Sequence, residues 1–501
     1  MKFHLTLSSL ILGLNLLASA KSPNIIILYA DDMGYGDLAI QNENSKIPTP
    51  NLDQLAREGM RFSDGHSSSG ICTPSRYSIL TGRHHWRDFH GIVNAFGPSV
   101  FKDSQLTLPE MLREKGYTTA CIGKWHLGWD WNALRKPDAS KKSMSYKDFD
   151  WSKPIPDGPL DHGFDHYFGD SVINFPPYAW IEDDKLIVPP DTDMARGEEG
   201  AITKEGNWEI RPGPAVKGWD FYKVLPTLTE KSVEYIRSRK GAEKPFFLYL
   251  PFPSPHAPIV PTDEFDEKSQ AGPYGDFVYQ TDDACGRILR ALDEIGETEN
   301  TIVVFSADNG PEKYAYERVR KYGHWSSGNF RGLKRDIYEG GHHVPFIIRW
   351  PGVLKAGSVS DAFISQVDLM ATLASVVKYP LPENSAEDSF DFLPYFKGET
   401  ESSPRSIHVH NTSPEKYAIR QNDWLLIDSQ NGYTSAVDPE WEKTRGYPAD
   451  DNSPVELYDI KQDPSQKNNI ASDHPEVVKN LQRQLGKIRT QGYSSPRLEK
   501  P

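Results

Sequence analysis

Short apolar runs punctuate this chain: NIIILYA (24–30), TTACI (118–122), FFLYL (246–250), TIVVFSA (301–307) and VPFIIRW (344–350). Each is too short for a buried helix and rich in β-branched or aromatic residues, so each reads as a buried parallel strand. Between them the apolar spacing changes to that of one helix face, in TPNLDQLAREG (49–59), TLPEMLREKG (107–116), LTEKSVEYIRSR (228–239) and TDDACGRILRALDEIG (281–296). Thr107 with Glu110 three residues on marks a helix start, and Gly116 marks its end. Strands alternating with helices predict an α/β fold with a large, mostly parallel central sheet flanked by helices.

Two stretches break the alternation. Residues 127–225 are rich in Pro, Gly, Asp and Trp with little periodicity, and read as a long loop insertion on one rim of the sheet. Such loops commonly build a substrate pocket. Near residue 380 the composition shifts again. SIHVHN (406–411), YAIRQNDWLLIDS (417–429) and VELYDI (455–460) read as antiparallel strands, and HPEVVKNLQRQLGKIRTQG (474–492) as a last helix. The expected division is a catalytic domain over 21–380 and a smaller C-terminal antiparallel sheet plus helix over 381–501.

In open α/β sheets ligands bind beyond the carboxyl ends of the strands. The residues that follow the apolar runs are therefore informative. They are Asp31-Asp32, Lys124-Trp125-His126, His256 and Asp308-Asn309. Asp31, Asp32, Asp308 and Asn309 are oxygen donors, which suits a hard cation such as Ca²⁺ or Mg²⁺ rather than zinc. Arg76, Lys124 and Lys334 supply positive charge, and His126 and His256 supply groups that titrate near neutrality. If they converge, the site is net positive with its cation and attracts an anionic ester.

The 501-residue chain has a formal net charge of -14, which excludes general nucleic-acid binding. Its first residues, MKFHLTLSSLILGLNLLASAKS, carry a lysine, an apolar run and Ala18-Ser19-Ala20, the pattern of a secretory signal cleaved after Ala20. The run is short for a bilayer span, no later span is evident, and a periplasmic or secreted mature chain is expected. The three cysteines leave at least one unpaired. Cys121 and Cys285 suit buried filling, whereas Cys72 lies among Ser, Gly, Thr and Pro and does not. The pairs His84-His85 and His342-His343 lack a Cys or a third His at zinc-site spacing, so zinc binding is not expected of them. His324 and Trp325 stand as candidates for either substrate contact or packing. The aromatics of INFPPYAW (173–180) read chiefly as packing residues.

CTPSRYSILTG (72–82) resembles the signature of the type I, formylglycine-dependent sulfatases of the alkaline phosphatase-like superfamily. NIIILYADDMGYGD, GKWHLG, PHAP, FSADNG, GLKRDIYEGGHHVPFIIRWPG and ELYDIKQDP extend the resemblance over most of the mature chain. It implies that a formylglycine-generating maturation enzyme oxidises Cys72 to Cα-formylglycine. The hydrated aldehyde would take the sulfuryl group on one hydroxyl and expel sulfate with the other. It also implies one divalent cation, Ca²⁺ or alternatively Mg²⁺, held by Asp31, Asp32, Cys72, Asp308 and Asn309. Asp308 would further accept the attacking hydroxyl's proton, and Arg76 would steady the hydroxyls. Lys124 and Lys334 would neutralise the sulfuryl charge, His126 would be the base that releases sulfate, and His256 would protonate the leaving oxygen. Pro74 suits the first turn of a helix, which would put residue 72 at a positive helix start. The implied substrate is a sulfated carbohydrate, of the carrageenan-type galactan or glycosaminoglycan kind. A phosphonate or phosphodiester hydrolase and a non-catalytic sulfated-glycan binder are the alternatives.

Overall fold

The computed structural model describes residues 21–140, 143–196, 202–437, 439–447 and 452–499. The segment read as a secretory signal, 1–20, lies outside the described residues.

One sheet organises the molecule. Its strands are β1 (Asn24–Ala30), β2 (Met60–Phe62), β3 (Thr118–Ile122), β4 (His166–Gly169), β5 (Ile181–Glu182), β6 (Lys185–Leu186), β7 (Phe246–Pro251), β8 (Thr301–Ala307), β9 (Phe346–Arg349) and β10 (Ser358–Ser360). Their spatial order is β10-β2-β9-β8-β1-β7-β3-β4-β5-β6. The central five, β8-β1-β7-β3-β4, are all parallel. Every residue of β1 is buried, because both faces of the sheet are covered.

Strand alternation divides the core in two. Ile26, Leu28 and Ala30 point to one face, against helices α1 (Pro50–Glu58), α4 (Val224–Ser238) and α5 (Gly272–Glu294). Ile25, Ile27 and Tyr29 point to the other, against α2 (Cys72–Thr81) and α3 (Leu108–Glu114). Thr107 and Glu110 form the expected reciprocal cap on α3. Helix α5 begins nine residues before the predicted start. Gly272 and Pro273 open it, since proline belongs at a helix start, where its missing N–H costs nothing.

Two expectations need correction. The run 344–350 was read as parallel, yet β9 pairs antiparallel with β8 and β2. Burial on both faces makes a run apolar whatever its direction, so composition does not report orientation. The stretch 127–225 is also more than rim loops. It contributes β4, β5 and β6 to the sheet, with β4 parallel to β3. These strands are too short to leave a periodic signal.

The C-terminal sheet is antiparallel, Ile407–Ser413, Lys416–Gln421, Trp424–Ile427 and Glu456–Asp459 in spatial order. Leu481, Leu485 and Ile488 line one face of the helix Pro475–Gln491 and pack on Val409, Ile419, Leu426 and Leu457. The opposite sheet face sets Ala418, Leu425, Ile427 and Tyr458 against Ile337 and Tyr338. The small sheet is thereby docked a few residues from Lys334. Phe390, Phe392 and Phe396 pack into the large core, ahead of that sheet. Among the described residues no helix is long and apolar enough to cross a membrane.

Candidate active site

The carboxyl ends of β1, β3, β7 and β8 meet at one point because these strands are neighbours in register. Asp31 N donates to Ser254 O, Lys124 N to Pro251 O and Asp308 N to Ala30 O, at 3.0, 2.7 and 3.0 Å. Two glycines permit this closeness. A Cβ on Gly123 would lie 2.2 Å from Pro251 O, and one on Gly310 would lie 1.9 Å from Gly340 O. Cys72 is the first residue of α2, whose side chains are all buried, so its side chain sits where free backbone N–H groups give a positive field.

The charged groups form a closed network. Lys124 Nζ donates to Asp31 Oδ2 at 2.5 Å. Arg76 forks onto Asp308 Oδ2 at 2.8 and 3.1 Å and lies 3.6 Å from Asp31 Oδ2. Lys334 Nζ reaches both Asp32 oxygens, at 2.7 and 2.8 Å. Asn309 Nδ2 donates to Asp32 Oδ1 at 2.7 Å, and Asp32 N to Asp308 Oδ1 at 3.1 Å. Burial works to raise the pKa of Asp31, but Lys124, His256, Arg76 and Lys334 overrule it and hold the carboxyl well below the usual range. Burial and then Asp31 push Asp308 up, to about 7, against the pull of Arg76 and Lys124. Burial lifts the Cys72 thiol to about 12 despite Lys124 and Lys334, so the unmodified side chain is a protonated thiol at neutral pH.

The two histidines have readable tautomers. His126 Nε2 lies 2.9 Å from Val93 O, an acceptor only, so this nitrogen carries the hydrogen. Nδ1 is left with a lone pair and no partner. His256 Nδ1 likewise donates to Ala257 O at 2.5 Å, leaving Nε2 3.7 Å from Asp32 Oδ2. Burial, then Lys334, lowers His256 to about 4 against Asp32 and Asp31.

Among the described residues, Asp31 Oδ1 and Asn309 Oδ1 are buried in the network without a hydrogen-bond partner, and Glu312 Oε2 is another such oxygen, 3.8 Å from Lys334. Orphaned buried acceptors are costly and call for a cation. Ligand atoms of Asp31, Asp32, Cys72 and His256 lie within 4.8 Å of one another. Asp31, Asp32 and Asn309 thus fit a hard divalent ion, with residue 72 at hand as a further ligand. Both oxygens of Asp308 already accept hydrogen bonds, so it would share its lone pairs between Arg76 and the ion.

Above the network opens a cavity of about 670 Å³. Cys72, His126, His256 and Lys334 line it, together with Asn174, Phe175, Arg196, Glu209 and Arg211 from the 127–225 stretch. Glu312, Arg335 and Ser435 also line it.

A profile of the Sulfatase family matches residues 23–379. The chain belongs to the sulfatase family. A second profile, N-sulphoglucosamine sulphohydrolase, C-terminal, matches residues 328–491 of this sulfatase. It is 33% identical to the N-acetylgalactosamine-6-O-sulfatase of Bacteroides thetaiotaomicron over 94% of both chains. It is 31% identical to arylsulfatase A of Homo sapiens, over 95% of this chain and 89% of that one. A sulfatase solved in work on glycosaminoglycan metabolism by Bacteroides thetaiotaomicron superposes with a TM-score of 0.79 at 31% identity, over 94% of this chain and 100% of that one. The protein is a sulfuric ester hydrolase on the alkaline phosphatase-like fold.

All ten residues singled out in the sulfatase's sequence come together: Asp31, Asp32, Cys72, Arg76, Lys124, His126, His256, Asp308, Asn309 and Lys334. The cavity wall was not foreseen residue by residue. Glu312 follows the FSADNG motif by two residues and Arg335 lies within GLKRD, which is the signal the sequence offers; Arg196, Glu209 and Arg211 carry none. Arg335 Nη1 pairs with Glu312 Oε1 at 2.7 Å. Phe175 lines the cavity, beneath the Arg211 guanidinium 4.1 Å from its ring centre, while Tyr178 and Ala179 are core. His324 is structural: it is fully buried and bonds Asp37 Oδ1 at 2.7 Å. Trp325 packs on Trp441 and Arg445. Cys121 and Cys285 are fully buried and free, and burial holds both thiols well above their ordinary value, as befits filling residues.

Proposed function

We propose that this sulfatase removes 6-O-sulfate from N-acetylgalactosamine in glycosaminoglycan-type chains, through a Cα-formylglycine made from Cys72 and one Ca²⁺. The observation that carries the chemistry is residue 72 at a helix start, facing Lys124, Lys334, Arg76 and the orphaned oxygens of Asp31 and Asn309. The substrate class is supported by the relative of that activity, which this chain matches over nearly its whole length. A cavity of about 670 Å³ is also in the range of sites that bury one or two sugar units.

The hydrated aldehyde supplies one hydroxyl to receive the sulfuryl group and a second to expel it. The cation, when bound, polarises a sulfate oxygen and favours the ionised hydroxyl. Arg76 and Asp308 orient residue 72, and Asp308, raised toward neutrality, takes its proton. Lys124 and Lys334 face the charge that develops on the sulfuryl group, where fixed cations contribute most. The Nδ1 lone pair of His126 takes the proton that accompanies sulfate release. His256 donates to the leaving sugar oxygen. An anionic ester beside it raises its proton affinity from the low value it has in the free site. Maturation by a formylglycine-generating enzyme and export to the periplasm or beyond belong to the same proposal, and a mature chain beginning at Lys21 would support export.

The test is sulfate release, read by ion chromatography, from matched 6-O- and 4-O-sulfated N-acetylgalactosamine, 6-O-sulfated N-acetylglucosamine, sulfated galactan oligosaccharides and a phosphonate monoester. Fastest turnover of the first supports the reading. Faster galactan turnover would overturn the substrate, and faster phosphonate turnover the chemistry.

A further inference from the structure

A second cluster of metal-competent groups lies outside the active site, where the C-terminal sheet meets the large domain. His66, just ahead of α2, His342, in the short helix Glu339–His342, and His410, on the strand Ile407–Ser413, converge from three distant parts of the chain. They are 0%, 1% and 1% exposed. One ring nitrogen of each lies within 4.8 Å of the others.

The hydrogen bonds around the cluster fix where the lone pairs point. His66 Nε2 lies 2.7 Å from Asp64 Oδ1. Asp64 is itself forked by Arg420 at 2.8 and 2.7 Å, so it is an ionised carboxylate and can only accept. His342 Nε2 lies 3.1 Å from the carbonyl oxygen of Ile337, which also can only accept. Both Nε2 atoms therefore carry hydrogen, and in the neutral rings both Nδ1 atoms carry lone pairs. Yet these two Nδ1 atoms face each other at 3.1 Å. Two lone pairs at that distance repel unless a cation sits between them. His410 stacks on His342, with ring centres 3.7 Å apart, and neither of its nitrogens has a partner. Burial lowers His342 to about 3 and places His410 well below the ordinary value, so the rings are in the neutral form that binds metal.

We infer that His66, His342 and His410 form a second metal site, for a divalent transition metal such as Zn²⁺, which ties the C-terminal sheet to the catalytic domain. Three imidazoles suit zinc or its neighbours and not calcium, so this site and the oxygen-rich one select different ions. Tetrahedral zinc with Zn–N of about 2.0–2.1 Å needs nitrogens about 3.3 Å apart, close to the 3.1 Å of the His66–His342 pair. The outermost nitrogen has at most about 1.5 Å to move. Asp64 behind His66 and the Ile337 carbonyl behind His342 are the outer hydrogen-bond partners that orient metal-binding histidines. Of the neighbouring histidines, His343 engages Glu339 and Ser63 O through its two nitrogens, whereas His408 spends Nδ1 on the Arg405 guanidinium and keeps an unpartnered Nε2, but it is not one of the three rings whose nitrogens lie within 4.8 Å of one another. The remaining coordination falls to water.

The experiment is elemental analysis of the untagged full-length protein after incubation with Zn²⁺ and dialysis, for wild type, His410→Ala and His410→Cys. Near-stoichiometric zinc in wild type, lost in His410→Ala and retained in His410→Cys, is the expected result. Chelation should also lower the Tm of wild type and leave that of His410→Ala unchanged. Zinc K-edge anomalous scattering from wild-type crystals covers the case in which a variant fails to fold: a peak among the three rings supports the site. Wild type that keeps no transition metal, or a peak elsewhere, overturns it; a proton shared by His66 and His342 would then explain their approach.

Discussion

Replacing Lys334 by methionine keeps the apolar stem and removes one charge from the floor of the cavity. The ammonium holds both oxygens of Asp32, at 2.7 and 2.8 Å, and stands 3.8 Å from Glu312. If it also faces the sulfuryl group, the variant loses one preorganised partner of the developing charge. That loss costs about 3–4 kcal/mol, or about 10²–10³ in kcat. Stability should respond separately. Asp32 would keep Asn309 Nδ2 at 2.7 Å but lose the buried ammonium that touches both its oxygens, and stripping one partner from a buried pair costs about 3–5 kcal/mol. A divalent ion on Asp32 would restore much of this. The Tm of Lys334→Met should thus fall in EDTA and recover on adding Ca²⁺, with a larger calcium-dependent rise than wild type shows. Sulfate release from 6-O-sulfated N-acetylgalactosamine and paired thermal melts read the two effects. A folded variant with kcat within about tenfold of wild type would remove Lys334 from the reacting group, given that scale. An unchanged calcium response would mean that Asp32 does not face the ion.

Cys72→Ala should abolish sulfate release, and in wild type the activity should rise in proportion to the fraction of residue 72 found as aldehyde by peptide mass spectrometry; full activity in thiol-only enzyme would refute the modification. His256→Gln should lower kcat for sugar sulfates far more than for an aryl sulfate with an acidic phenol, since a good leaving group needs no proton; equal losses would remove His256 as the acid. Chelation should eliminate activity, with Ca²⁺ and then Mg²⁺ restoring it, whereas Zn²⁺ should restore little. Burial holds His84 neutral in the folded state, at about 3 against an ordinary 6.5. Its contribution is complete above 6.5 and is lost as pH falls from there toward 3, at up to about 1.4 kcal/mol per pH unit, because only the unfolded chain takes up the proton. His84→Phe should therefore flatten the fall of Tm between those values, and an unaltered slope would refute the assignment.

The sequence by itself determined where chemistry could lie. Runs such as NIIILYA and TIVVFSA can be little but buried strands, and the polar residues after them must stand at the sheet's carboxyl edge. Asp31, Lys124, His256 and Asp308 are thereby brought to one place by the sequence pattern alone. It worked because strand and helix periods are local properties and because the parallel strands end in register. Orientation was not local: β9 is as apolar as a parallel strand, and only pairing with β8 reveals it as antiparallel. The cavity wall was not local either, since Arg196, Glu209 and Arg211 belong to a stretch without period whose folding depends on what it covers. The histidines show the limit most directly. His342-His343 looked like an incomplete pair because a search by spacing sees only neighbours in the chain. The rings that meet His342 are His66 and His410, far from it in the chain, and only the docking of the C-terminal sheet on the rest of the protein, driven by apolar burial, brings the three together.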